Sequence, residues 1–96
     1  MYLIGDIGNT EIKICLINNK NKIIKRVYFS NNNISLLKLK KNFSKFQKYF
    51  PKIEKILFCS VVPKSFKLIK KFLNNKTKIK SYEIKQLDLS SIIKIK

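Results

Sequence analysis

An α/β domain is the fold class that this sequence predicts, with a mixed sheet and helices in the order β-β-β-α-β-α-β. Three observations carry the prediction. The first thirty residues hold short apolar or alternating segments separated by polar turns. Two later stretches repeat apolar residues at helical spacing, and a nearly continuous apolar run lies between them.

Residues 2–7, Tyr-Leu-Ile-Gly-Asp-Ile, read as a buried strand that Gly8-Asn9-Thr10 breaks with turn chemistry. Residues 11–17 alternate, with Ile12, Ile14 and Leu16 on one face, and form the second strand. A polar turn at 18–21 precedes a third strand carrying Ile23, Val27 and Phe29. Short turns between successive strands imply an antiparallel meander. Ser30 and Asn31 to Asn33 mark a loop and a helix start. Leu36, Leu39, Phe43, Phe46 and Phe50 then recur as one helical stripe for packing against the sheet, and Pro51 is expected to end that helix. Residues 56–62 fit a strand buried on both faces, as parallel strands beside helices are. Pro63 suits the first turn of a second helix with Phe66, Ile69 and Leu73 inward, closed by Asn74-Asn75. A strand over 78–84 follows, and 92–95 allow one more.

Ninety-six residues make one domain with one modest core. The hydrophobic fraction of 45% is that of a globular chain rather than a disordered one. No run of about 18 apolar residues occurs, so no membrane-spanning helix is expected. Asp6 interrupts the first apolar run and no basic stretch precedes it, which argues against a secretory signal and for the cytoplasm. Cys15 and Cys59 both lie in apolar segments without metal spacing, and the chain has no histidine. They read as buried free thiols.

The formal charge of +17 raises the question of nucleic acid. Of the 22 basic residues only Arg26 is arginine, and Lys, Ile and Asn fill almost half the chain. Those residues have A/T-rich codons, whereas a surface selected for phosphates and bases favours the planar fork of arginine. Compositional drift therefore explains the charge better than a specific nucleic-acid face.

One constellation carries chemistry: Asp6-Ile7-Gly8-Asn9-Thr10. A carboxylate ends a buried strand, and a glycine two residues later permits unusual backbone angles and close approach of a ligand. The amides of Asn9 and Thr10, with the Thr10 hydroxyl, offer an anion-binding concavity. Asp6 is placed to hold Mg²⁺ through water, and Lys13 to reach a phosphate from the second strand. The loop opens a strand, so it is neither a Walker loop nor a dinucleotide fingerprint. The plainer alternative is a turn whose carboxylate accepts loop amide hydrogen bonds.

The element order is that of a ribonuclease H-like half-domain. Gly5 to Lys13 resembles the opening phosphate motif of type III pantothenate kinases, in the actin-like kinase superfamily, and Cys59-Ser60-Val61-Val62-Pro63 resembles that family's Ser-Val-Val-Pro. The resemblance covers essentially the whole chain. It implies ATP-dependent phosphorylation of pantothenate to 4'-phosphopantothenate, the first step towards coenzyme A. By the same resemblance Asp6 positions Mg²⁺ and the nucleotide phosphates, Gly8, Asn9 and Thr10 cradle phosphate, and Lys13 adds charge. Ser60 would stand at the cleft edge, its alternative being a strand end without ligand contact. The resemblance further implies a monovalent cation (K⁺ or NH₄⁺) and a homodimer when complete.

The family's Gly-x-Asp-Arg segment, which carries the general base, has no match here, nor do its second glycine motif and adenine site. Asp88, in Leu-Asp-Leu-Ser, does not resemble the base, which is therefore expected beyond Lys96. The expectation is a lobe spanning 1–96, without catalytic residue or second lobe, inactive alone. The competing readings are a non-catalytic fragment that retains the phosphate loop and a small basic nucleic-acid-binding protein.

Overall fold

The computed structural model describes residues 1–84. Strands β1 (Tyr2–Ile7), β2 (Glu11–Ile17) and β3 (Ile23–Ser30) form the expected antiparallel meander. Helix α1 (Leu36–Phe43) and a 3-10 segment (Ser44–Lys52) lead into β4 (Lys55–Ser60). Helix α2 (Pro63–Thr77) and β5 (Ser81–Glu83) follow. The sheet order is β3-β2-β1-β4-β5, with β4 parallel to both β1 and β5. This is the mixed sheet of an α/β half-domain, and β1 is its central strand.

Alternation decides which residues face the helices. Leu3 and Ile7 of β1, Ile12, Ile14 and Leu16 of β2, and Ile56 and Phe58 of β4 are wholly buried in the main core. Leu39, Phe43, Phe46, Ile69 and Leu73 meet them from the helical layer. Phe43 is the hub of the aromatic packing, with ring centroids 6.2 Å from Phe29, 5.9 Å from Phe46 and 5.5 Å from Phe72. Such offset and edge contacts add to the area buried. A smaller cluster of Ile4, Cys15, Ile17 and Cys59 occupies the opposite sheet face. Both cysteines are free thiols there. Burial raises the Cys15 thiol against the opposing pull of Arg26, and burial raises Cys59 with help from the charges of Asp6 and Glu83.

The helical region departs from expectation. The single helix through Phe50 stops at Phe43 and tightens into 3-10 winding, and Pro51 lies inside that segment. The Ser44 hydroxyl donates to the Lys41 carbonyl at 2.7 Å, so a side chain takes an acceptor that the next α-turn needs. A three-residue period keeps Phe43 and Phe46 inward, and the last turn closes at Ile53, whose N–H reaches the Phe50 carbonyl. The α1 cap is Ser35, whose Oγ accepts from the Lys38 amide, rather than Ser30.

The remaining boundaries shift too. β4 ends at Ser60, and Val61, expected in a buried strand, is exposed. Helix α2 runs past Asn75 to Thr77 and closes on Lys78 in the left-handed region, with φ 64°. The predicted strand over 78–84 keeps only Ser81–Glu83. Phe72 joins the buried stripe, whereas Phe66 is half-buried, its ring 5.9 Å from Phe58. The expected strand at 92–95 and Asp88 lie outside the described residues, as does Lys96, beyond which the general base was expected.

Candidate functional site

Parallel pairing puts the carboxyl ends of β1 and β4 on one edge of the sheet, where ligands of α/β folds gather. There the β1–β2 turn meets the β4–α2 junction. Ile7 pairs with Ser60, and the Ile7 carbonyl accepts from the Val61 amide at 3.0 Å.

Asp6 sits one residue before the end of β1, half-buried, between Lys13 on β2 and Cys59 on β4 in register. Lys13 is exposed, and no ion pair closes between it and Asp6. Gly8 donates its N–H to the Glu11 carbonyl at 2.9 Å and closes the turn around Asn9 and Thr10. Its φ is not in the left-handed region, so the unusual backbone expected of it is not what the turn requires. The requirement is space: a Cβ on Gly8 would stand 3.1 Å from the Glu11 carbonyl oxygen. Asn9 and Thr10 are exposed, and among the described residues neither amide has a hydrogen-bond partner. Two unspent donors on a tight turn are the raw material of an anion site.

Ser60 is at the edge of this constellation, but its hydroxyl is engaged. Its Oγ receives the Val62 amide and donates to the Val62 carbonyl, both at 3.0 Å. That pair turns the chain from β4 into α2. The structure thus brings Asp6, Gly8, Asn9, Thr10, Lys13 and Ser60 to one strand-end edge.

Two residues at this edge escaped the sequence reading. The Asn31 side chain donates through Nδ2 to the Gly8 carbonyl at 2.7 Å, and its backbone N–H donates to the Thr10 carbonyl at 2.9 Å. Its Oδ1 accepts the Ser65 hydroxyl at 2.7 Å. Ser65 is buried in the first turn of α2, four residues before Ile69 on the apolar stripe. A hydroxyl at a core-facing helical position was the available signal, because buried polar groups need partners.

Among the described residues no group of three or more His, Cys, Asp or Glu converges on a point. Asp6 thus belongs to no such cluster, which suits Mg²⁺ held mostly by waters and substrate phosphates and does not suit an all-protein cage. A groove of about 280 Å³, lined by Lys40, Phe43, Phe50, Phe72 and Lys76 among others, belongs to the helical layer and includes none of the turn residues.

The sheet order and its helical layer are those of an actin-like, ribonuclease H-like half-domain. Within that class the sequence is more specific. Residues 2–96 match the model of the family described as Type III pantothenate kinase, and the chain belongs to that family. It is 49% identical over all 96 residues to the type III pantothenate kinase of Pelagibacter ubique (strain HTCC1062), and it spans 39% of that protein's length.

Proposed function

We propose that these residues form the phosphate-holding lobe of an ATP-dependent kinase that converts pantothenate to 4'-phosphopantothenate. The observation that carries this reading is the family match across residues 2–96. The strand-end turn supports it with two unpartnered amides beside a carboxylate and a lysine.

In this reading Asn9 and Thr10 donate their amides to phosphate oxygens, and Gly8 keeps the turn narrow enough for close approach. Lys13 adds a positive charge from β2, and Ser60 shapes the neighbouring wall. Asp6 holds water ligands of Mg²⁺, which when bound offsets charge on the transferring phosphoryl group. Orientation and charge stabilisation are what a protein contributes to such a transfer. The general base that takes the pantothenate hydroxyl proton is not among these residues, and this reading places it beyond Lys96. A monovalent cation, a homodimeric assembly and a cytoplasmic location complete the proposal. Specific nucleic-acid binding is no part of it.

The test is genetic complementation of a bacterium depleted of its own pantothenate kinase, using the locus that encodes this chain. Growth is expected from the unchanged locus, and Asp6→Asn is expected to cut turnover by about a hundredfold or more. Equal turnover in that variant would remove the role assigned to Asp6, and no growth from the unchanged locus would remove the proposal.

A further inference from the structure

The turn's own hydrogen bonds do not explain why its amides are left without partners. In a trans peptide the N–H points opposite to the preceding carbonyl, and no peptide bond among the described residues is cis. The Gly8 carbonyl and the Asn9 N–H share one such peptide unit. Whatever holds the Gly8 carbonyl therefore fixes the direction of the Asn9 N–H. Glu11, the partner of Gly8 across the turn, receives the Gly8 N–H. The Gly8 carbonyl is held by the Asn31 side chain at 2.7 Å, from 23 residues away.

We propose that Asn31 is the positioning residue of the phosphate turn, with Ser65 as its orienting partner. Asn31 grips the turn twice, by side chain at the Gly8 carbonyl and by backbone at the Thr10 carbonyl. The Gly8 carbonyl shares its peptide with the Asn9 N–H, and the Thr10 carbonyl shares its own with the Glu11 N–H. The side-chain grip therefore directs the Asn9 donor and the backbone grip anchors the far end of the turn, with the Thr10 N–H between the two. Ser65 decides which way round the Asn31 amide sits. Its hydroxyl donates to Oδ1 at 2.7 Å, which leaves Nδ2 for Gly8. The reversed amide would set oxygen against oxygen at Gly8, and the backbone carbonyl would lose its donor. Because Ser65 is 4% exposed, water does not readily replace it.

The arrangement also joins the phosphate turn to the first turn of α2. That helix begins with Pro63, carries no acidic residue in its first turn and has no side-chain cap. Its positive end is thereby fixed to the same unit that presents the Asn9 and Thr10 amides. The turn, the β3 end and α2 are thus joined by hydrogen bonds through Asn31 and Ser65. Neither residue touches a reacting atom; both act through the geometry of the turn.

The proposal rests on the kinase reading for its ligand, so the experiment separates the two. The 96-residue chain, isotope-labelled, is compared with Asn31→Ala, Asn31→Asp, Ser65→Ala and Ser65→Thr. The first readout, without nucleotide, is the amide order parameter of Asn9 and Thr10 by NMR relaxation. The second is the titration of those amide shifts with Mg·ATP. Asn31→Ala and Asn31→Asp are expected to lower the turn's order parameters while amides of β1 and β2 keep theirs. Both are expected to weaken Mg·ATP by about tenfold or more. The fall in the Asn31→Asp order parameters without nucleotide, where its new charge faces no phosphate, shows that the lost donor rather than lost volume is responsible. Ser65→Ala is expected to have the same effect in smaller degree, and Ser65→Thr, which keeps the hydroxyl, to restore wild-type behaviour.

A turn that stays as rigid in Asn31→Ala as in the unchanged chain overturns the positioning role whatever the nucleotide does. Equal Mg·ATP affinity in that variant overturns it also. Failure of the unchanged chain to bind Mg·ATP overturns the phosphate reading instead, and the order parameters then judge the clamp alone.

Discussion

Gly5 is the position where one added methyl group should do the most damage, and the structure sets the size of the effect. Gly5 lies in the middle of β1, with Ile14 beside it on β2 and Phe58 beside it on β4. The Phe58 ring lies over the space that a Gly5 side chain would fill. A Cβ there would stand 2.1 Å from Phe58 Cε1, 2.5 Å from Cδ1 and 2.9 Å from Ile14 Cδ1. Relief requires the ring to move by roughly an ångström or more, yet Phe58 is wholly buried with Phe66 packed against it. Overpacking of this kind costs about 1–3 kcal/mol, and the depth of this overlap argues for the upper end. Alanine returns about 0.5–1 kcal/mol through the unfolded chain, so Gly5→Ala should lose about 2–2.5 kcal/mol in all. For a domain of this size that is a fall in Tm of roughly 8–20 °C. Urea unfolding followed by circular dichroism reads it directly. A double-mutant cycle with Phe58→Leu isolates the cause, because a smaller side chain vacates space for the methyl. The pair should couple favourably by about 1 kcal/mol or more. Stability of Gly5→Ala within about 0.5 kcal/mol of the unchanged chain, or two strictly additive losses, would refute the reasoning.

Lys78→Gly should stabilise the chain by about 0.5–1 kcal/mol, since Lys78 closes α2 at φ 64° where a side chain is strained; equal or lower urea midpoints would contradict it. Folding raises both thiols, so the native state holds these protons more tightly than the unfolded chain does. Their stabilising contribution is therefore full below the ordinary thiol range of about 8.5 and is lost as pH climbs through the higher folded values. Replacing Cys59 with Ala should flatten the decline in stability above that pH relative to the unchanged chain, and parallel pH curves would disprove the link.

What was legible in the sequence depended on how local the cause was. β1 and β2 fall where alternation and the Gly8-Asn9-Thr10 break put them, because a strand's facing residues are two apart along the chain. The 3-10 segment was hidden because phenylalanines at spacings of three and four satisfy either winding over so short a stretch. The Ser44 hydroxyl that tips the balance looks like any exposed serine. Phe72 was missed because α2 buries a stripe wider than three residues. Gly5 read as part of a phosphate motif, yet its neighbours show a core position shaped for the Phe58 ring. The Asn31–Ser65 bond spans 34 residues and depends on where β3 and α2 meet, which no local pattern encodes.

The same distinction bears on Asp6. Its type and place at a strand end were visible in the sequence, but only its neighbours reveal the electrostatic problem it poses. A carboxylate beside two free amides and a lysine would repel the phosphate that those groups attract. No cluster of three or more His, Cys, Asp or Glu forms among the described residues, so a protein-built cation cage is not the answer. The arrangement becomes favourable when a hydrated divalent cation stands between Asp6 and the polyphosphate, because each anion then faces a cation. This fixes the sign of an effect that a purely structural aspartate would not produce. With magnesium present, Asp6→Asn should bind ATP more weakly than the unchanged chain, by about tenfold. In excess chelator the order should reverse, since the variant no longer sets a negative charge against the phosphates. A loss of affinity in both conditions would mean that Asp6 only holds the turn in shape, and the case for a metal-positioning carboxylate would fall.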